Sequence, residues 1–252
     1  MPVKKKKTIE EFMQEQGMAQ YPMEACGVIV TVRKKALALP CRNVAADPKN
    51  YFVMDVEDYA NAADRGPVVG IWHTHPNRTA APSEADLVGC ENSGVPWYIL
   101  AINKDESGKF VFDGPTITHP SGFEMPYIGR PYVFGVMDCY SLVRDYYKRE
   151  FGILLGDGPR IEFWWRGGKD LLKKGAHDQN LTVLIDEEPQ NGDLFLIITE
   201  GTVPNHVAIY IGDDMILHHC LNRLSKRDVY AGYWRKHTVS HLRHISFLNK
   251  GE

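Results

Sequence analysis

Apolar and polar residues follow helical and strand periodicities over the first 114 positions of the chain. Thr8 opens a helical pattern with Glu11 three residues later, which is a capping box, and Pro22 ends it. Further helices are predicted over Asp55 to Arg65 and after Ser83, a favourable N-cap residue. Apolar runs rich in β-branched residues predict strands at ACGVIVTV, KALALPC, VVGIWHTH, WYILAIN and KFVFD. This order predicts one α/β unit.

The pattern changes after a stretch rich in proline and glycine between positions 115 and 131. We therefore predict a first domain at 1–118, a linker at 119–131 and a second domain at 132–252. Helical patterns come first in the second domain, from Asp138 to about Glu150 and around EFWWRGGKDLLKK. Strands are predicted at DLFLIIT, HVAIYIG and MILHHC, and the end of the chain also has a strand pattern. Helices followed by strands predict an α+β domain.

Composition and charge exclude several classes of function. The 252 residues are 44% hydrophobic and 24% charged with a net charge of -3, which is typical of a soluble globular protein and gives no reason to expect a nucleic-acid partner. The basic run from Lys4 to Lys7 is interpreted as a solvated tail. We find no apolar stretch of membrane-spanning length and no secretory signal. Five cysteines without a CxxC pair argue against a disulfide scaffold and favour synthesis in a reducing cytoplasm.

The segment HTHPNRTAAPSEAD carries candidate metal ligands. His73 and His75 are two residues apart at a strand end, so both imidazoles face one side. Asp86 follows in the first turn of the helix that Ser83 caps. Two imidazoles and one carboxylate leave a fourth zinc position open, as in catalytic zinc sites. Glu24 is the candidate general base, and the Ser83 hydroxyl could donate a hydrogen bond to an oxyanion. The alternative is a His-x-His pair satisfied by backbone carbonyls, with Ser83 only a helix cap.

This pattern resembles the JAMM (MPN-plus) metallopeptidase family. The family has a distant Glu, then His-x-His, seven residues, Ser, two residues and Asp. The corresponding residues here are Glu24, His73, His75, Ser83 and Asp86, and Pro76 after the second histidine also matches. The resemblance covers roughly residues 8 to 114. It implies an α/β JAMM (MPN) fold, a Zn2+ cofactor and cleavage of amide or isopeptide bonds.

A candidate nucleophile lies in the second domain. Cys139 is predicted in the first turn of a helix with Asp138 as its N-cap, where the partial positive charge of the helix favours a thiolate. The alternative for Cys139 is a buried small hydrophobe. The other cysteines lack comparable partners and are interpreted as core or surface residues; they are Cys26, Cys41, Cys90 and Cys220.

Three histidines supply a candidate base and its orienting partner. His206 begins a strand, and the return strand carries His218 and His219. If Ile211 pairs with Met215 across the turn, His218 lies on the same face as His206. A slip of one residue would select His219 instead, and the spacing alone leaves both open.

These residues resemble the NlpC-like peptidoglycan peptidases, which are cysteine peptidases of papain type. The family has Asp-Cys-Ser-Gly, then HVGIYIG, then a polar residue twelve positions after the histidine, which selects His218. A tyrosine upstream of the cysteine matches Tyr132, whereas Tyr-Ser after Cys139 departs from the usual Ser-Gly. The match runs from about residue 126 to 248. It implies a papain-like NlpC fold and a cysteine endopeptidase with Cys139, His206, His218 and Tyr132 at its site.

Two further clusters are interpreted as structural. One is aromatic and could line a sugar or peptide groove, although core packing is the favoured interpretation; it comprises Phe163, Trp164 and Trp165. The other is a histidine cluster whose spacing suits a helix face, whereas this part of the chain has a strand pattern; it comprises His237, His241 and His244. We expect no metal at the second cluster.

Fused in this order, the two domains resemble the tail tip assembly proteins of lambda-like tailed bacteriophages over nearly the whole chain. The resemblance implies a peptidase that acts on peptidoglycan stem peptides and assembles with other phage tail tip proteins. It places the protein in the host cytoplasm during assembly and at the virion tail tip. Two alternatives are a structural tail component with vestigial catalytic domains and a cellular JAMM protease acting on a ubiquitin-like or sulfur-carrier protein. The substrate of the zinc domain is not predicted.

Overall fold

The chain divides into two compact units, Met1–Glu124 and Met125–Glu252, in a computed structural model that describes residues 7–158 and 161–248. The division falls within the stretch 119–131. The predicted bounds of the linker and of two independently folding domains stay predictions. Lys4, Lys5 and Lys6 of the basic run lie outside the described residues.

The first unit is a five-stranded sheet with the strand order β2-β1-β3-β4-β5. Strands β3 and β4 are parallel, and the other neighbouring pairs are antiparallel. The strands are β1 (Cys26–Val32), β2 (Lys35–Cys41), β3 (Val68–Pro76), β4 (Trp97–Lys104) and β5 (Phe110–Thr118). The helices are α1 (Ile9–Gln20), α2 (Val56–Ala63) and α3 (Glu84–Ser93). All elements predicted for this half of the chain are present.

Strand β5 is longer than predicted, because it continues past KFVFD to Thr118. The proline-rich stretch therefore begins inside a strand. The pairing with β4 shifts register between Ile99 and Ala101, opposite Gly114 and Pro115. A bulge at this edge strand accommodates a proline that could not donate a ladder hydrogen bond.

Apolar residues cover both faces of the first sheet. Met13 of α1 packs with Trp72 and Leu100 on one face. Cys90 of α3 packs with Ile71 and other residues on the opposite face. Since side chains alternate along a strand, His73 and His75 lie on the Ile71 side, towards α3.

The second unit contains a six-stranded antiparallel sheet with the order β10-β9-β8-β7-β11-β6. The strands are β6 (Leu181–Leu184), β7 (Leu194–Ile197), β8 (His206–Tyr210), β9 (Met215–His218), β10 (Lys226–Val229) and β11 (Thr238–His244). The helices are α4 (Cys139–Phe151), α5 (Leu171–Asp178) and α6 (Gly232–His237). The helix α4 packs on the sheet around Leu142, Tyr147 and Ile209. Among the described residues, no helix is long and apolar enough to cross a membrane.

The single helix predicted around EFWWRGGKDLLKK is wrong. The segment forms a 3₁₀ turn at Trp164–Gly167, and α5 begins only at Leu171. Two adjacent glycines weaken helix propensity between these elements, and Gly168 adopts a left-handed φ of 70° that ends the turn. The Asp170 side chain then caps α5 by accepting a hydrogen bond from the backbone of Lys173 at 2.9 Å.

Candidate active sites

The three candidate metal ligands of the first unit converge between the C-terminal part of β3 and the first turn of α3. The Nε2 atoms of His73 and His75 are 3.0 Å apart. The carboxylate oxygens of Asp86 lie 3.2 Å from Nε2 of His73 and 3.3 Å from Nε2 of His75. All three side chains are buried. The strand puts both imidazoles on one face, and the capping box at the start of α3 fixes Asp86 opposite them.

The hydrogen bonding of His75 suits a metal ligand. Its Nδ1 lies 2.9 Å from the carbonyl oxygen of Thr79, which can only accept, so Nδ1 carries the proton. Its Nε2 therefore presents a lone pair to Nε2 of His73 and the carboxylate of Asp86. A cation among these atoms would give a partner to both imidazole nitrogens and to the carboxylate. Donation of the second ring N–H to a carbonyl is typical of metal-bound histidine. The donor set and its geometry fit zinc.

Asp86 is held as a carboxylate. Burial by itself would raise its pKa, but His73 and His75 hold the pKa of Asp86 well below its usual range. The hydroxyl and the backbone N–H of Ser83 both donate to Oδ2 of Asp86 at 2.7 Å. The Ser83 hydroxyl thus contacts the candidate ligand directly, while its role towards an oxyanion stays a prediction.

The candidate base Glu24 is only 3% exposed and forms an ion pair with Arg78. Burial raises the pKa of Glu24, whereas His73, Arg78 and His75 act in the opposite direction. Arg78 lies in the loop between β3 and α3, and its side chain is more exposed than that of Glu24. Sequence reasoning missed Arg78, although a basic residue three positions after His75 in a glycine-free loop was a visible signal.

The hairpin of β8 and β9 settles which histidine faces His206. The backbone N–H of Ile211 donates to the carbonyl of Met215 at 2.9 Å, so the pairing considered from the sequence is present. In this register Ala208 is opposite His218. Since residues two apart share a strand face, His218 lies on the same face of the sheet as His206.

The two histidines continue into a hydrogen-bonded chain that ends at Asp228. Nε2 of His206 lies 3.2 Å from Nδ1 of His218, and Nε2 of His218 lies 3.1 Å from Oδ2 of Asp228. Because the carboxylate can only accept, Nε2 of His218 carries a proton and Nδ1 accepts from His206. His206 then keeps Nδ1 as its proton-accepting nitrogen. Asp228 also accepts from Trp234 at 3.2 Å and from Lys226 at 2.8 Å.

Both rings of this pair are neutral near pH 7. Burial, reinforced by His218 and His219, lowers the pKa of His206 to about 3. Burial also lowers the pKa of His218, although Asp228 opposes that effect. A neutral His206 is in the state required of a general base.

Cys139 and His206 line the same cavity, which has a volume of about 480 Å³. Cys139 is the first residue of α4, and the N-cap Asp138 accepts a hydrogen bond from the backbone of Ser141 at 2.8 Å. The predicted position of Cys139 at a helix start is therefore confirmed, while its role as a nucleophile stays a prediction. Other residues lining the cavity include Tyr132, Trp164, Trp165, His219 and Cys220.

Two interpretations from the sequence need correction here. Trp164 and Trp165 are not only packing residues, because both line the cavity and both indole N–H groups are buried without a hydrogen-bond partner among the described residues. Cys220 does have a histidine partner, since its Sγ lies 3.5 Å from Nδ1 of His218. The missed signal for Cys220 was its position two residues after His218, on the same side of the extended chain.

The remaining histidine cluster does not converge. His237 bonds the carbonyl of Tyr233, His241 bonds Asp193, and the ring of His244 bonds Ser246. These three histidines therefore have separate structural partners.

Comparison with known proteins defines the class to which each unit belongs. Residues 129–243 match the model of the NlpC/P60 family. Residues 5–112 match the model described as prokaryotic homologs of the JAB domain. The chain thus joins a JAB-type domain to an NlpC/P60 domain, as the two resemblances implied.

Two relatives match the chain over most of its length. Tail tip assembly protein K of Escherichia phage N15 is 36% identical over 242 residues, which is 95% of this chain and 95% of that protein. Tail tip assembly protein K of Escherichia phage lambda is 35% identical over 191 residues, which is 76% of this chain and 89% of that protein. The chain belongs to the tail tip assembly protein K family. A shorter match, 30% identical over 89 residues, covers 32% of this chain and 62% of the desampylase of Haloferax volcanii.

Proposed function

We propose that this chain is a phage tail tip assembly protein whose C-terminal unit hydrolyses amide bonds in the stem peptides of peptidoglycan. The observation that carries this proposal is that Cys139 and His206 line one cavity and that His206 is hydrogen-bonded through His218 to Asp228. The two phage relatives match this chain over 95% and 89% of their own lengths, and their names support a role with other tail tip proteins. Assembly in the host cytoplasm and presence at the virion tail tip belong to the same proposal.

The proposed reaction uses the hydrogen-bonding pattern of the histidines. Sγ of Cys139 attacks the amide carbonyl carbon, and its proton goes to Nδ1 of His206. The carbon–nitrogen bond breaks as His206 returns that proton to the leaving amine, which leaves a thioester on Cys139. Water then attacks the thioester with His206 as base, releasing the acid and the thiol.

Four groups position this chemistry. His218 accepts from Nε2 of His206 and fixes the ring, and Asp228 fixes His218 in turn. Backbone N–H groups at the start of α4, together with Tyr132, donate to the developing oxyanion. The loss of one such donor costs about 3 kcal/mol in other enzymes.

The test is fragment release from purified peptidoglycan, followed by mass analysis of the fragments. Wild-type protein should release stem-peptide fragments with or without a chelator, and Cys139→Ala should release none. Cleavage that requires metal and survives Cys139→Ala would place the activity in the first unit instead. No cleavage by correctly folded wild-type protein would favour a structural tail component with vestigial sites.

We also infer that the first unit binds zinc through His73, His75 and Asp86 and hydrolyses a protein amide or isopeptide bond. The proton position on His75 supports this proposal, as does the similarity to a protein named desampylase. Bound zinc supplies Lewis-acid polarisation and lowers the pKa of water. Glu24 takes up and returns the proton, and the Ser83 hydroxyl, which donates to Asp86 in this structure, would turn its single proton towards the substrate oxygen. A cellular JAMM protease is disfavoured, since the phage relatives match far more of the chain.

A further inference from the structure

Cys220 is directed at the point where the two histidines of the peptidase site meet. Its Sγ lies 3.5 Å from Nδ1 of His218, the atom that His206 contacts at 3.2 Å. The ligand atoms of the three residues all lie within 4.8 Å of one another. Cys220 also lines the cavity that contains Cys139. The peptidase reaction described above makes no use of this thiol.

We propose that His206, His218 and Cys220 form a second zinc site and that zinc bound there switches the peptidase off. Two imidazoles and one thiolate are a zinc-binding donor set, and thiolate favours soft metals over magnesium or calcium. The fourth position would face the cavity that Cys220 lines. The inhibitory consequence rests on the proposed peptidase function, whereas the binding site does not.

The carboxylate of Asp228 holds His218 in the tautomer that a metal ligand requires. It accepts from Nε2 of His218 at 3.1 Å and so leaves the lone pair of Nδ1 directed at His206 and Cys220. A carboxylate behind a ligating histidine fixes its tautomer and raises its basicity. Asp228 is itself held by the indole of Trp234 and the ammonium of Lys226.

Metal binding at this point removes the base from the peptidase reaction. The ion takes the place of the proton between Nε2 of His206 and Nδ1 of His218. That proton moves to Nδ1 of His206, and the thiol proton of Cys220 is released to solvent. With Nδ1 protonated, His206 cannot accept the proton of Cys139. The same histidine pair therefore serves either proton transfer or metal binding, but not both.

Cobalt(II) titration of the full-length chain tests the site without an activity measurement. A thiolate ligand gives a charge-transfer band in the near ultraviolet, and the site at His73, His75 and Asp86 contains no sulfur. Wild-type protein should show the band, and Cys220→Ser should lose it. The band should persist in Cys139→Ala and in the double variant His73→Ala, His75→Ala. Absence of the band in wild type, its retention in Cys220→Ser or its loss in Cys139→Ala would overturn the proposal.

A second variant guards against misfolding of Cys220→Ser. Asp228→Asn should keep the band but require about 10- to 100-fold more cobalt, since it removes only the partner of a ligand. An unchanged cobalt affinity in Asp228→Asn would contradict the proposed role of the carboxylate.

Peptidoglycan hydrolysis under added zinc tests the consequence. Zinc should inhibit the His73→Ala, His75→Ala protein, a chelator should restore its activity, and Cys220→Ser should need about tenfold or more zinc for the same fractional inhibition. Equal zinc sensitivity with and without Cys220 would refute the switch. Absence of metal-free hydrolysis would instead refute the peptidase function and leave the cobalt result standing.

Discussion

The adjacent residues His218 and His219 have the same side chain but different surroundings. His218 bonds both His206 and Asp228, whereas His219 bonds the carbonyl of Arg223 and makes a T-shaped contact with the Tyr132 ring. We expect His218→Ala to lower kcat by roughly 10²-fold, because the imidazole of His206 loses its orientation. His219→Ala is the matched control and should lower kcat much less. Steady-state kinetics on a stem-peptide substrate would decide, and equal losses in both variants would contradict the assigned relay.

Glu24 is expected to act in catalysis and not in metal binding. Glu24→Gln should keep the zinc of the first unit and lower amide hydrolysis by about 10²- to 10⁴-fold, because it removes a base. Elemental analysis is cleanest in protein that also carries Cys220→Ser, so that only one proposed site contributes. His73→Ala with His75→Ala should abolish that zinc. Loss of zinc in Glu24→Gln would make Glu24 a ligand.

The buried histidines also predict a pH dependence of stability. The pKa of His206 falls from its ordinary value of 6.5 to about 3 on folding. Between these values the unfolded chain binds more protons, so the free energy of unfolding rises with pH and is lost on acidification. Burial lowers the pKa of His219 to about 4, which acts in the same direction. Denaturant titrations between about pH 6.5 and 3 should show a steeper loss for wild type than for His206→Gln. Parallel curves would show that His206 is not buried as a neutral ring.

Most residues of the two sites could be found in the sequence because they lie in rigid local patterns. Ser83 and Asp86 form a capping box, and Asp138 caps the helix of Cys139. Asp228 could not be assigned in the same way. Its contact with His218 arises from the register between β9 and β10, which no local spacing encodes, whereas Cys220 lies only two residues after His218 and was overlooked.

At the level of elements, long apolar patterns were predicted well and very short strands were not. Strands β6 and β10 have four residues each and were missed. Three of the four residues of β10 are exposed, so it lacks the alternation that identifies a half-buried strand. The segment of Trp164 and Trp165 has the apolar spacing of a helix, but the low helix propensity of the two glycines at its centre interrupts the helix.

Strand β1 shows how tightly the sheet around the first site is packed. A Cβ added at Gly27 would overlap the carbonyl oxygen of Leu39 and lie 2.8 Å from Nε1 of Trp72. Because the backbone of Leu39 and the ring of Trp72 would both have to move, Gly27→Ala should cost about 3 kcal/mol or more of the unfolding free energy. Trp72 directly precedes His73, so this packing also supports the first site. Gly94→Ala is the control, with a left-handed φ of 67° but open space around it, and should cost about 1–2 kcal/mol. Denaturant titration would measure both, and equal costs would contradict the packing argument.

Over the whole molecule, each unit contains all the residues proposed for its own site. The residues of the zinc site lie between Glu24 and Asp86, and those of the peptidase site between Tyr132 and Asp228. We expect fragments 1–124 and 125–252 each to fold with one cooperative unfolding transition and to keep their own chemistry. Calorimetry of each fragment, with the cobalt band assigned to 125–252 alone, would test this. Insolubility of both fragments would indicate a shared core.

Strand β10 lies at the edge of its sheet, with a single hydrogen-bonded neighbour. Backbone hydrogen bonds at such an edge open more often than those of a central strand like β8, as amide hydrogen exchange detects. We therefore expect the segment of Asp228 to have shorter closed lifetimes than the segment that holds His206. Each opening of β10 would briefly remove the hydrogen bond from Asp228 that fixes the tautomer of His218. The rate at which β10 opens would therefore set the timescale of the relay. Proton transfer and metal binding would then both depend on how long the backbone hydrogen bonds of one short strand stay formed.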